Sequence, residues 1–271
     1  MQSHRHLPDT NQLSVVVATV LLAYAMTPYV SLPDRFIALQ LPGFLFEARL
    51  NFNTIVSILV AILAAAGTDW LLQSHPQIGD KARLPHWLIP ALTAWMIGVP
   101  LTTLEVGLDW WAVFALGGLL FVLVLVAEYM VVDPGDTHHA PASIGLTAVS
   151  FALYLVLIIS LRAAGMRLYM VVLAIAPAVF LVCLRTLFLR SGGRWFLGWS
   201  FGIALVIGQT SAGLHYWPLT PLQYGLVILG LAYGLTSLAS ALEEGRSWRT
   251  VWIEPAVMVT ILWGLAFLVR T

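Results

Sequence analysis

Apolar residues fill nine stretches of the chain almost without interruption, and polar residues are confined to the short joints between them. The stretches are Leu13 to Val30, Thr54 to Leu72, Trp87 to Leu104, Trp110 to Val132, Ile144 to Leu161, Leu168 to Leu189, Phe196 to Gly213, Leu222 to Leu242 and Val251 to Val269. Each is close to the roughly 20 residues that an α-helix needs to cross a hydrocarbon core at about 1.5 Å per residue. Gly117-Gly118 and Ala176-Pro177 fall inside such stretches, and membrane helices tolerate Gly and Pro better than soluble helices do. The pattern predicts an all-α polytopic bundle of about nine membrane helices. It would form a single transmembrane domain over residues 1–271, because the joints are too short for a soluble domain.

Two segments need separate reading. In the first stretch Ala23-Tyr24-Ala25 imitates the small-x-small cleavage site of a signal peptide, and the count falls to eight if that stretch is removed. Apolar character continuing past Ala25 favours a retained first span. Between Ser31 and Asn53, Pro33, Pro42 and Gly43 lie among Phe and Leu together with Asp34, Arg35, Glu47 and Arg49. This segment is too broken to span and too apolar for a free loop, so an interfacial or re-entrant piece is expected near 31–53.

Composition narrows the class further. Of 271 residues, 60% are hydrophobic and 10% charged, whereas soluble domains carry about 25% charged residues. Thirteen basic and thirteen acidic residues cancel, and no basic run points to a nucleic-acid partner. All the basic residues but Lys81 are arginines, whose planar fork suits carboxylate or lipid phosphate. Cys183 is the lone cysteine and lies inside an apolar stretch, so it reads as a small core hydrophobe, and disulfide scaffolds within one chain are excluded.

Charge also sets sidedness. With the N-terminus in the cytoplasm, seven basic residues (Arg5, Lys81, Arg83, Arg190, Arg194, Arg246 and Arg249) fall inside and five (Arg35, Arg49, Arg162, Arg167 and Arg270) outside, a modest excess in the expected direction for a protein of the cell membrane. Alternation of spans then gathers the intramembrane charges near one face. Asp69 lies in the last turns of span two, Glu128 in those of span four, Arg185 in those of span six, and Glu254 in the first turn of span nine. Ionisable residues inside a membrane are costly and are functional-site candidates that need a partner. The expected site is therefore an inner-leaflet cluster in which Arg185 is held by Glu128 or Glu254, with Asp69 and a histidine such as His75 or His86 completing it. The competing reading is that charges near helix ends are simply placed where long side chains snorkel, although the short stems of Asp and Glu do this poorly.

Other chemistry is weakly signalled. No H-E-x-x-H or comparable helical pair is present, and His138-His139 are explained by a polar turn at Pro134-Gly135, so neither a metal nor a cofactor is expected. Asp69, His75, His86 and His215 superficially resemble the scattered His and Asp set of intramembrane ceramidase-like hydrolases, but alternation puts His215 on the opposite face. There His215 could meet Glu105 and Asp109 in a small outer site, beside the aromatic turn His215-Tyr216-Trp217-Pro218, which also suits a structural belt at headgroup depth.

Gly67-Thr68-Asp69-Trp70, Glu128-Tyr129, His215-Tyr216-Trp217-Pro218 and Glu254-Pro255, together with length and hydropathy, resemble an uncharacterised family of bacterial multi-pass membrane proteins known as a domain of unknown function. That resemblance implies no activity and transfers no functional residue. The residues themselves favour binding or transport of a lipid-like or small amphipathic anion at the inner cluster, without an enzymatic step. The alternatives are a structural subunit or assembly factor of a larger membrane complex, and an intramembrane lipid-modifying enzyme. Expected partners are membrane lipid and either other membrane proteins or further copies of the chain.

Overall fold

The computed structural model describes residues 8–30, 35–41, 44–50, 52–75, 78, 84–133, 135 and 137–269. The fold is a helical membrane bundle carrying one short β-hairpin. Among the described residues eight helices are long and apolar enough to cross a membrane. The chain divides into two compact units, residues 1–136 and 137–271.

The first unit contains α1 (Thr10–Ala25), a hairpin of β1 (Arg35–Leu41) and β2 (Phe44–Leu50), α2 (Phe52–Gln73), α3 (Leu84–Thr103) and α4 (Leu108–Val131). The segment expected to be interfacial or re-entrant is thus an antiparallel ribbon, with Arg35 opposite Leu50 and Leu41 opposite Phe44. The physical reason lies in its two runs of Phe, Ile and Leu, which favour extended backbone, on either side of the turn-forming pair Pro42-Gly43, itself outside the described residues. At seven residues each, the strands are shorter than the about 9–11 residues a membrane-crossing strand takes.

The four helices of this unit pack as neighbours, α1 on α2 and α4, and α3 on α2 and α4. α1 starts where the Asp9 side chain accepts from the Asn11 N–H at 2.9 Å, an N-cap that satisfies an otherwise orphaned donor. Lipid supplies no hydrophobic drive between apolar helices, so close approach at small residues holds them together. A Cβ built on Gly67 would lie 2.6 Å from Val16, and one on Gly117 would lie 2.7 Å from Ile97. At Gly98 it would meet the Tyr24 hydroxyl at 2.6 Å and Ser57 Oγ at 2.8 Å, while the Tyr24 hydroxyl donates to the Ala94 carbonyl at 2.6 Å. Gly98 is therefore where α1, α2 and α3 come together. Large apolar side chains such as Leu22, Ile62 and Leu116 remain exposed and form the lipid-facing surface.

The second unit contains α5 (His139–Ala163), α6 (Leu168–Arg190), α7 (Leu197–Leu214), α8 (Pro221–Glu243), α9 (Trp248–Val251) and α10 (Ile253–Leu268). α10, the ninth expected span, has 16 residues and is not among the eight helices long enough to cross. α8 is the hub and packs against α5, α6, α7 and α10. Its glycines allow this: a Cβ on Gly225 would sit 2.9 Å from Leu155 and Ile159, and one on Gly234 would sit 2.7 Å from Val259. α8 also has the best-defined start, a capping box of Thr220 and Gln223 with Pro221 in the first turn. Cys183 is fully buried, as expected, with Sγ 3.0 Å from Thr236 Oγ1. Gln209 is exposed and makes no hydrogen bond among the described residues.

Gly98→Val should destabilise the first unit by about 1–3 kcal/mol, the usual cost of overpacking a tight contact. Thermal unfolding of the detergent-solubilised protein checks this, and an unchanged midpoint would show that the three-helix contact can relax around a larger residue.

Candidate functional site

In the first unit the polar side chains converge where α2 ends, α3 begins and α4 ends. Consecutive residues on a helix point about 100° apart, so the start of α3 serves both neighbours. His86 is turned to α4, where its Nδ1 lies 2.8 Å from Glu128 Oε2. Trp87 is turned to α2, where its Nε1 donates to Asp69 Oδ1 at 3.2 Å. The other Asp69 oxygen accepts from Gln73 Nε2 at 2.8 Å, one helical turn on. His75, just past α2, packs its ring edge against Tyr129, beside Glu128, at a centroid distance of 4.6 Å.

Burial separates the two carboxylates. Glu128 is fully buried and His86 is 9% exposed, whereas Asp69 is half-buried. A buried carboxylate without partners would be very costly, and the imidazole of His86 supplies one of the groups that answer it. Asp69 and Glu128, both expected at this face, are thus brought to adjacent residues of α3, together with a histidine.

The other two members of the expected cluster belong to the second unit. Arg185 is fully buried on α6, with its guanidinium carbon 5.4 Å from the centre of the Phe188 ring. Glu254 is exposed in the first turn of α10, where the helix dipole favours an acid. Of the outer candidates, Glu105 and Asp109 are exposed near the start of α4 in the first unit. His215 ends α7 in the second unit, its ring edge-on to Tyr216 at 5.0 Å. Its carbonyl accepts from Arg162 Nη1 at 2.6 Å, and Arg162 Nη2 donates to the Trp217 carbonyl at 3.1 Å. Burial and the nearby Arg162 guanidinium lower the His215 imidazole below the ordinary histidine pKa. This turn is held by Arg162, a clamp that sequence reading treated only as a loop charge.

The second unit has a further polar site, at the end where α5 and α7 begin and α6 and α8 finish. After α6, Gly192 and Gly193 take positive φ angles of 69° and 97°, a region open to glycine without steric cost. The Gly193 N–H turns back onto the Phe188 carbonyl at 3.0 Å. This tight reversal sets Arg190 and Arg194 around a cavity of about 250 Å³, which Ser191, Ser240, Glu243 and Glu244 also line. The acids are engaged. Glu243 accepts from Trp199 Nε1 at 2.8 Å, and Glu244 accepts from Ser240 Oγ at 3.2 Å and Arg246 Nη2 at 2.7 Å. Arg194 lies over the Phe196 ring at 5.2 Å. Among the described residues neither Arg190 nor Arg194 makes an ion pair.

Arg190 also lines a second, more open cavity of about 450 Å³ along α5, formed mainly by Ser143, Ile144, Ala148, Phe151, Leu189 and Tyr233. One guanidinium therefore borders a polar recess on one side and a largely apolar groove on the other. Sequence reading used Arg190 and Arg194 only to count charge. The available signal was the Gly192-Gly193 pair between them, which marks a reversal able to turn both toward one space. Among the described residues no three His, Cys, Asp or Glu side chains are grouped to hold a metal ion.

The profile of DUF5656, described as a protein of unknown function, matches residues 32–269. The chain belongs to this family. The match spans both units apart from α1. No curated protein and no solved structure matches the chain. Membership of DUF5656 carries no activity, so the chemistry rests on the geometry above.

A double-mutant cycle of His86→Ala and Glu128→Gln should return a coupling of about 0.5–3 kcal/mol, the range for residues in direct contact. Unfolding in mild detergent measures it, and additive effects would show that the short contact contributes no energy of its own.

Proposed function

We propose that this DUF5656 protein is an integral membrane protein that binds a lipid-like anion at the Arg190 end of its second unit. The observation that carries this reading is the double exposure of Arg190, to a polar recess and to an apolar groove. An amphiphile with a phosphate or carboxylate headgroup matches both. The headgroup would take charge-assisted hydrogen bonds from Arg190 and Arg194, which arginine makes in pairs to planar or tetrahedral oxyanions. Its tail would lie along α5 beside Ile144, Ala148 and Phe151. Glu243 and Glu244 line the same recess; Arg246 offsets the charge of Glu244, while Glu243, held by the neutral indole of Trp199, keeps its charge and is outweighed by Arg190 and Arg194 together.

The surroundings suit headgroup depth. Trp195 and Trp199 are 39% and 40% exposed, and exposed tryptophans gather at the membrane interface. Arg185 lies five residues before Arg190 on α6, about 7 Å along the axis. In this reading it does not touch the ligand. Glu128 and Asp69, which meet His86 and Trp87 at the start of α3, are given no part in holding the headgroup. Binding is the function proposed, and movement of the ligand across the membrane would be a further property of the same site.

Replacing both arginines, Arg190→Gln and Arg194→Gln, should lower retention of an anionic phospholipid by about tenfold relative to a zwitterionic one of the same chains. Native mass spectrometry of protein from mixed-lipid nanodiscs reads this directly. Ala148→Trp, which fills the groove and leaves the charge in place, should reduce retention of long-chain lipid but spare a short-chain headgroup analogue. Retention that is equal for both lipids, or indifferent to the arginines, would overturn the reading.

A further inference from the structure

We propose that the groove along α5 takes an anionic amphiphile whose chain carries a hydroxyl near its middle, and that the Tyr233 hydroxyl is the group that recognises it. This rests on the lipid reading of Arg190 and adds the class of ligand to it. Tyr233 stands midway along α8 and lines the groove that Arg190 borders. Its ring packs edge-on against Phe151, midway along α5, at a centroid distance of 5.3 Å. The ring is thus held, and the side chain is half-buried, but its hydroxyl makes no hydrogen bond among the described residues. Tyr24 and Tyr224 differ in this respect, since their hydroxyls donate to the Ala94 carbonyl at 2.6 Å and the Ser211 carbonyl at 2.9 Å. The Tyr154 hydroxyl also makes no hydrogen bond among the described residues, but that residue is fully buried and lines neither cavity. Of these four hydroxyls, only that of Tyr233 is both unpartnered and beside a space that a ligand can enter.

Depth makes the unpartnered hydroxyl informative. Tyr233 lies ten residues before the Glu243 end of α8, about 15 Å along the axis, deeper than its side chain can bridge to water at the headgroups. A hydroxyl without a partner is costly there, and the groove is the space from which a partner can come. The α5 wall complements it. Ser143 and Thr147 line the groove one turn apart and donate within their own helix, to the His139 carbonyl at 2.6 Å and the Ser143 carbonyl at 2.9 Å. Their hydrogens are committed, and their oxygens remain as acceptors. A chain hydroxyl can accept from Tyr233 and donate to such an oxygen, whereas a ketone or ether can only accept and a saturated chain does neither. Ile144 is exposed on the same wall, so the groove is open toward lipid and a chain can enter sideways while its anionic end meets Arg190.

Competition on the full protein in zwitterionic nanodiscs tests the assignment, with labelled stearate displaced by unlabelled stearate, 2-hydroxystearate or 12-hydroxystearate. The three acids share the carboxylate and chain length and differ only in whether, and where, a hydroxyl is carried. The unsubstituted protein should bind 12-hydroxystearate about three- to fivefold better than the other two, the gain from one intramembrane hydrogen bond. Tyr233→Phe keeps the ring on Phe151 and removes only the hydroxyl, so it should abolish that preference and leave stearate binding unchanged. Equal binding of the three acids, or a preference that survives Tyr233→Phe, would overturn this proposal alone, provided that stearate binding falls in the Arg190→Gln, Arg194→Gln protein. Stearate binding that is indifferent to both arginines would strike the headgroup reading, and this proposal with it.

Discussion

Inside a hydrocarbon layer every hydrogen-bonding group must find its partner within the protein, because an unpaired one costs several kcal/mol and water is not there to replace it. This constraint explains both what the chain does with its backbone and where it puts its charges. Helices satisfy their own backbone, so most of the described residues are helical. Hydroxyls inside them are turned back to the preceding turn, as with Thr68 on the Ala64 carbonyl and Thr260 on the Ala256 carbonyl. Groups that cannot be satisfied within one helix tie two together: Trp110 Nε1 reaches the Leu101 carbonyl, and Trp263 Nε1 reaches the Val227 carbonyl. Ionisable groups then collect near helix ends, where a neighbouring helix begins or finishes and can offer a side chain.

The spans were legible in the sequence because they depend on the length of an apolar run, and which helix ends meet within the first unit followed from the alternation of direction. The same alternation correctly put Asp69, Glu128 and His86 at one end. It gave depth but not azimuth. That His86 faces α4 while Trp87 faces α2 follows from the rotation of α3 in its bundle, which packing at Gly98 and Gly117 fixes and no periodicity announces, since α3 is apolar all round. The hairpin was missed for another reason. Its residues were weighed for apolarity, a criterion for spanning, when the deciding features were β-favouring Phe and Ile runs separated by Pro42-Gly43.

Arg190 and Arg194 show the same limit from the opposite direction. Both were visible as charges, and charge sufficed for orientation, but their role depends on what the acids beside them are doing. Glu243 and Glu244 precede Arg246 by three and two residues, and sequence alone allows these five groups to neutralise one another in several pairings. In the fold, Glu244 is taken by Arg246 and Ser240, and Glu243 by Trp199 across the start of α7. What is left around the recess is two guanidinium groups against the one carboxylate of Glu243, a net positive residual that only three-dimensional bookkeeping exposes.

An arginine becomes a candidate ligand-binding group only after its donors are accounted for, and this chain contains both outcomes. Arg162 and Arg190 each stand at the end of a membrane helix with five donors to place. Arg162 gives one to the His215 carbonyl and one to the Trp217 carbonyl and stacks over Tyr224 at 5.2 Å, so its fork is consumed in closing the turn between α7 and α8. That turn contains Pro218 and Pro221, which lack N–H groups, and the carbonyls near them have fewer backbone donors to meet. Arg190 ends α6 at a glycine reversal, where Ser191 and Gly193 supply their own N–H groups to Leu187 and Phe188. The backbone there closes itself, and the guanidinium is released from structural duty to face the recess. The local chemistry of two turns, one rich in proline and one in glycine, decides which arginine holds the fold and which can hold a ligand.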